Sequence, residues 1–221
     1  MTINFLGITV HEFDVAITDL LLFSELLLFA LILLRQRKTK PLINRISFYL
    51  FASLAWSSFF GVVFHAFFPT KAETIGGFVI WSLVAAGIGA AAVALWAFNI
   101  WIMKNKISYA AKIFLGGYSC LFAIIFLLID YHFTTIIIFY LSPLVILGFI
   151  SLWKLVKERD KKWLLLLAGI VLSLAAAVIQ WLQIDIDPQY FNFNSLYHSV
   201  QAVAFACFFL AFRHGIIKRQ V

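Results

Sequence analysis

From end to end the chain alternates long apolar runs with short polar breaks, and the runs are of nearly one length. Seven stretches qualify, roughly 14–34, 47–68, 77–103, 110–129, 133–153, 163–183 and 195–212. At ~1.5 Å of rise per residue, about 20 apolar residues cover a hydrocarbon core of ~30 Å. Lipid cannot satisfy the backbone groups of an open strand, and the alternating pattern of a membrane β-barrel is absent. The pattern therefore predicts an all-α fold, a seven-transmembrane-helix bundle forming a single domain over residues 1–221. No break is long enough for a second domain, and neither an internal repeat nor a low-complexity linker is visible. Pro41, Pro69 and Pro188 fall in breaks, whereas Pro143 falls inside the fifth run, where it removes a backbone donor and predicts a kink. The small residues of 85–92, AAGIGAAA, read as a surface for close helix packing.

The polar breaks carry a one-sided charge. Sixteen of the seventeen Lys and Arg residues lie in the breaks after runs 1, 3 and 5, at the start of run 4 or in the C-terminal tail; Lys71 alone lies on the other side. By the positive-inside bias, the N-terminus is outside and the C-terminus cytoplasmic. The net charge of +7 is thus a topology signal, and no nucleic-acid partner is expected. A composition 64% hydrophobic and 12% charged excludes a soluble domain and a disordered chain, and makes this a multi-pass integral membrane protein with membrane lipid as its expected partner. The N-terminus lacks the basic region of a signal peptide and carries His11 and Glu12 instead. Cys120 and Cys207 lie inside apolar runs, with no metal-ligand spacing.

Ionisable groups within spans are costly, so each is a candidate functional residue. His65 near the end of run 2 and His198 near the start of run 7 come to similar depths below the outer boundary. Asp19 lies in the outer part of run 1, and Glu25 nearer the midplane. At helical spacing Asn194, His198 and Gln201 form one stripe, Ser58, Gly61 and His65 a second, and Asp14, Thr18 and Glu25 a third, with Asp19 off that last face. Three polar stripes facing one another would enclose a polar cavity. Glu25, too deep to reach headgroups, is expected to face the interior and to meet Ser58 or Gln201.

Two segments, SSFFGVVFHA at 57–66 and NSLYHSVQA at 194–202, resemble the helix 2 and helix 7 signatures of the CREST superfamily, and TDLLLFSE at 18–25 resembles its acidic helix 1 segment. That superfamily unites alkaline ceramidases, adiponectin/progestin receptors and lipid-remodelling hydrolases. The resemblance implies a buried zinc ion held by one His of helix 2 and two of helix 7, with a Ser and an Asp assisting cleavage of a lipid amide. His65 and His198 match two of these ligands. Asn194 stands where the third His is expected, and Gly61 where the Ser is.

Catalytic zinc keeps three protein ligands and an open position. A third ligand would then come from Glu25, Asp19 or Glu73. The reading that follows is a metal-dependent hydrolase of a lipid amide or ester. It has His65 and His198 as metal ligands, Glu25 and Ser58 in catalysis, and Asp19, Asn194 and Gln201 around the substrate. Alternatives are a non-enzymatic receptor or lipid-binding protein on the same scaffold, a haem protein using the two histidines, and a transporter. Run 7 has no Lys for a retinal Schiff base.

Overall fold

The computed structural model describes residues 1–36, 41–68 and 74–213. A short hairpin, β1 (Ile3–Phe5) and β2 (Ile8–Val10), precedes seven helices: α1 (Phe13–Arg35), α2 (Pro41–Phe67), α3 (Ile75–Lys104), α4 (Tyr109–Leu128), α5 (Phe133–Glu158), α6 (Lys161–Leu182) and α7 (Phe193–Ala211). All seven helices are long and apolar enough to cross a membrane. The fold is an all-α seven-helix bundle, and the chain is a multi-pass integral membrane protein.

Each helix begins and ends for local reasons. Thr74, Ser108, Asp160 and Asn192 accept backbone N–H groups at the starts of α3, α4, α6 and α7. Asn105, Arg159 and Gln183 close α3, α5 and α6 in the left-handed conformation. Two helices run past their apolar cores. Pro41 suits the first turn of α2, where its missing N–H has no partner to lose. The last turn of α5 is held by Glu158, which takes Lys154 at 2.9 Å, Lys162 at 3.5 Å and the indole N–H of Trp163 at 2.8 Å. The hairpin was not expected from the sequence. Its two-residue turn, Leu6–Gly7, has φ of 53° and 82°, the left-handed pair that matches strand twist.

Six helices close a ring in the order α1, α2, α3, α5, α6, α7 and back to α1, while α4 stands outside against α3 and α5. α1 and α7 run parallel, so that Asp14 meets Ser195, Thr18 meets His198 and Phe29 stacks on Phe209 at 4.1 Å. The small residues of α3 admit its neighbours. A Cβ on Gly87 would lie 2.7 Å from the Ser53 carbonyl of α2, and Gly89 leaves room for Phe122 of α4. Pro143 frees the carbonyl of Phe139 one turn back, and the Tyr118 hydroxyl of α4 donates to it, as does Ser142 at 3.1 Å. Asn99 of α3 donates to the Pro143 carbonyl at 2.8 Å. One half of the ring is a solid core in which Leu26, Leu33, Phe51, Leu95, Phe98, Leu147, Leu166, Phe208 and Phe212 are almost wholly enclosed. The half nearer the N-terminus is hollow.

Candidate functional site

The hollow is a cavity of about 640 Å³, lined from all six helices of the ring and from the turn between α4 and α5. That volume is ordinary for a small-molecule site. Its floor is apolar: Leu22, Leu26, Leu54 and Phe205. Its upper wall holds Asp19, Ser58, His65, Gln180, Asn194, His198 and Gln201, and among the described residues neither Lys nor Arg lines it. The turn above is fixed by Trp81, whose indole N–H donates to the Tyr131 carbonyl at 2.8 Å.

Six rings form a closed circuit around this space. His65 neighbours Phe64, Phe64 neighbours Trp81, Trp81 neighbours Phe133, Phe133 neighbours Tyr197, Tyr197 neighbours His198, and His198 returns to His65. Every step lies between 5.1 and 6.2 Å, the usual separation of packed aromatic rings.

Asp19 stands beside the two histidines. Its side chain is 6% exposed, with Oδ1 3.5 Å from Nε2 of His198 and Oδ2 4.0 Å from Nε2 of His65. The opposite nitrogens are held from behind. Nδ1 of His65 donates to the Glu12 carboxylate at 2.5 Å. The Thr18 hydroxyl spends its one hydrogen on the Val15 carbonyl at 2.9 Å, so it accepts from Nδ1 of His198, 3.3 Å away. In the neutral imidazoles both Nε2 lone pairs then face one carboxyl group. A Cβ on Gly61 would lie 2.5 Å from Asp19 Oδ2. The glycine found where the resemblance expects a serine is what admits this carboxylate.

The expected site residues separate into two groups. Asp19, Ser58, His65, Asn194, His198 and Gln201 all line the cavity. Asn194 accepts from the Gln180 amide at 2.7 Å, and Gln201 accepts from Ser173 of α6 at 3.1 Å, so these two are tied into the wall. Glu25 does not line the cavity. Instead of meeting Ser58 or Gln201, it has an enclosed Oε2 without a hydrogen-bond partner. The buried line of α1 is Val15, Asp19, Leu22 and Leu26, so the face that turns inward is that of Asp19 and not the expected stripe of Asp14, Thr18 and Glu25. Glu73 lies outside the described residues. The sequence does not mark Glu12 as a partner of His65, nor Thr18 as a partner of His198.

The chain belongs to a family of unknown function (DUF6962). The family model matches residues 15–216, nearly the whole bundle and every cavity-lining residue. No curated protein matches the chain. No solved structure matches it either. Membership in this family leaves the chemistry to be argued from the site.

The donor set fits zinc in kind: two imidazole nitrogens and a carboxylate, each His fixed through its other nitrogen. Among the described residues no three His, Cys, Asp or Glu side chains are closed to metal-holding distance. Donors ~2.0–2.1 Å from a tetrahedral zinc stand roughly 3.4 Å apart. Oδ1 of Asp19 and Nε2 of His198, 3.5 Å apart, meet that spacing; Nε2 of His65 faces the other oxygen, Oδ2, at 4.0 Å, and has to close by about 0.6 Å to share a zinc with it.

Proposed function

We propose that this chain is a metal-dependent membrane hydrolase acting on a lipid amide or ester, built like the ceramidase-type superfamily it resembles. The observation that carries the reading is the meeting of Asp19, His65 and His198 on three different helices at the wall of a cavity with an apolar floor. His65, His198 and Asp19 would hold the zinc, with Asp19 on α1 supplying the third donor in place of the His that the resemblance expects at position 194. A zinc bound there supplies a Lewis acid for the scissile carbonyl and an activated water near neutral pH.

The remaining residues have roles of their own. Leu22, Leu26, Leu54 and Phe205 take the apolar part of the substrate. The floor residue Leu26 lies two helical turns below Asp19, about 10 Å. Gln180 lines the cavity and has an enclosed Oε1 without a partner, an acceptor for a substrate N–H or O–H. The Ser58 hydroxyl lines the wall on the helix of His65 and can bond the reacting polar group. Asp19 has two oxygens, so one can bind while the other takes a proton. With the N-terminus outside, as the one-sided Lys and Arg predict, the cavity lies at the outer face.

A second reading, a receptor that binds an amphiphile without cleaving it, is favoured by Asn194. It stands in the superfamily's ligand position with its carbonyl committed to Gln180. The test is hydrolysis of a panel of fluorogenic lipid amides and esters by protein in lipid nanodiscs, with zinc added or chelated. The hydrolase reading expects zinc-dependent turnover that His198→Ala and Asp19→Asn abolish. Tight binding of the same probes without turnover in any metal state supports the receptor instead.

A further inference from the structure

Residues 11–14 stitch together the three helices that supply the site. The His11 N–H donates to the carbonyl of Ala66, the residue after His65, at 2.9 Å. The Glu12 carboxylate takes Nδ1 of His65 at 2.5 Å. Asp14 accepts from the Ser195 hydroxyl of α7 at 3.0 Å. Glu12 is the hub of this junction, and it adopts φ 35° and ψ 47°, a left-handed conformation that side-chain-bearing residues rarely take. Strained backbone of this kind persists where the surroundings over-determine it, and such places cluster at functional sites.

We propose that Glu12 is a positioning residue for His65, and that the hairpin–helix junction exists to deliver it. A carboxylate only accepts, so a neutral His65 facing Glu12 carries its hydrogen on Nδ1 and a lone pair on Nε2. That lone pair is directed toward Asp19 Oδ2, 4.0 Å away. Thr18 does the same for His198 from within α1. The two imidazoles are thus held in one tautomer by independent partners. Without Glu12 nothing in this arrangement keeps His65 from carrying its hydrogen on Nε2, which blocks that nitrogen as a donor to a metal. The junction also couples the hairpin to the site, since β2 runs directly into Glu12 through His11. This inference rests on the hydrolase reading only for its purpose; the tautomer itself is a property of the metal-free chain.

The experiment is nitrogen-15 NMR of the His65 ring in metal-free protein in nanodiscs, with His65 assigned by loss of its signal in His65→Gln. Zinc affinity is measured in parallel. The wild type is expected to show the Nδ1–H tautomer. Glu12→Ala shifts His65 to the Nε2–H form usual for free imidazole and weakens zinc binding 10–100-fold. Glu12→Gln keeps an acceptor oxygen, and so retains the wild-type tautomer and most of the affinity. A Glu12→Ala protein with the wild-type His65 tautomer overturns the proposal. If the tautomer shifts as stated but zinc binds to neither protein, the positioning role stands and the metal reading alone fails.

Discussion

Gly61 and Asp19 occupy adjoining space across the α1–α2 contact, so closely that a methyl group on the glycine would sit 2.5 Å from Oδ2 of the carboxylate. Gly61→Ala therefore pushes Asp19 away from the histidines. The expected cost is that of overpacking a close contact, about 1–3 kcal/mol, with loss of zinc binding. Denaturant titration of the detergent-solubilised protein and zinc titration check the two parts separately. A variant with wild-type stability and wild-type zinc affinity would show that Asp19 has another resting place.

The Pro143 kink makes a second prediction. Tyr118→Phe removes one of two donors to the orphaned Phe139 carbonyl and should destabilise the bundle by about 0.5–1.5 kcal/mol, the usual net contribution of a hydrogen bond. In a Pro143→Ala background the carbonyl regains a backbone N–H, so the same change should cost less. Equal costs in both backgrounds would mean that the tyrosine does not serve the kink.

Much of this architecture was legible in the chain. Span length and polar breaks define seven helices without any packing information, because the membrane imposes a single length. The similar depths of His65 and His198 followed from counting residues along oppositely directed helices. The side on which Asp19 lies did not follow. A helical wheel groups Asp14, Thr18 and Glu25, but which stripe of α1 turns inward is decided by how α2 and α7 close on it, and they select Val15, Asp19, Leu22 and Leu26. Glu12 was hidden for a different reason. It precedes the apolar run and reaches His65 only through a left-handed backbone turn that no periodicity announces. Nor does the mean hydropathy of α4, 2.0 against 2.2 for α3 and 2.3 for α5, set it outside the ring.

Asp130 provides a pH prediction at the turn over the cavity. Hydrogen bonds from the Thr135 hydroxyl and the His132 N–H hold its carboxyl below the usual carboxylate range. A lowered folded value means that the ionised form stabilises the turn. That contribution is complete above the unfolded pKa of about 3.9 and disappears as pH falls through the folded value. Amide exchange at Tyr131, His132 and Phe133, normalised for its intrinsic pH dependence, should lose protection over that acid range in the wild type. In Asp130→Asn protection is expected to be low and flat with pH. A wild-type turn equally protected on both sides of the range would remove the argument.

Orientation rests on the sixteen-to-one distribution of Lys and Arg. In intact cells, an impermeant thiol reagent added outside should modify a cysteine placed at Asp187 and spare one placed at Lys106, in a background lacking Cys120 and Cys207. Lys106 is exposed and Asp187 partly exposed, and they lie at opposite ends of the bundle. The reverse labelling would turn the cavity toward the cytoplasm.

The central claim is that Asp19, His65 and His198 form one metal site, and zinc stoichiometry tests it most directly. Protein in nanodiscs is loaded with zinc, freed of excess and subjected to elemental analysis, the wild type beside Asp19→Asn, His198→Ala and Asn194→Ala. The site described here predicts about one zinc per wild-type chain, retained in Asn194→Ala and lost in the other two variants. A wild-type chain that retains no zinc, or an Asp19→Asn chain that retains as much as the wild type, contradicts it.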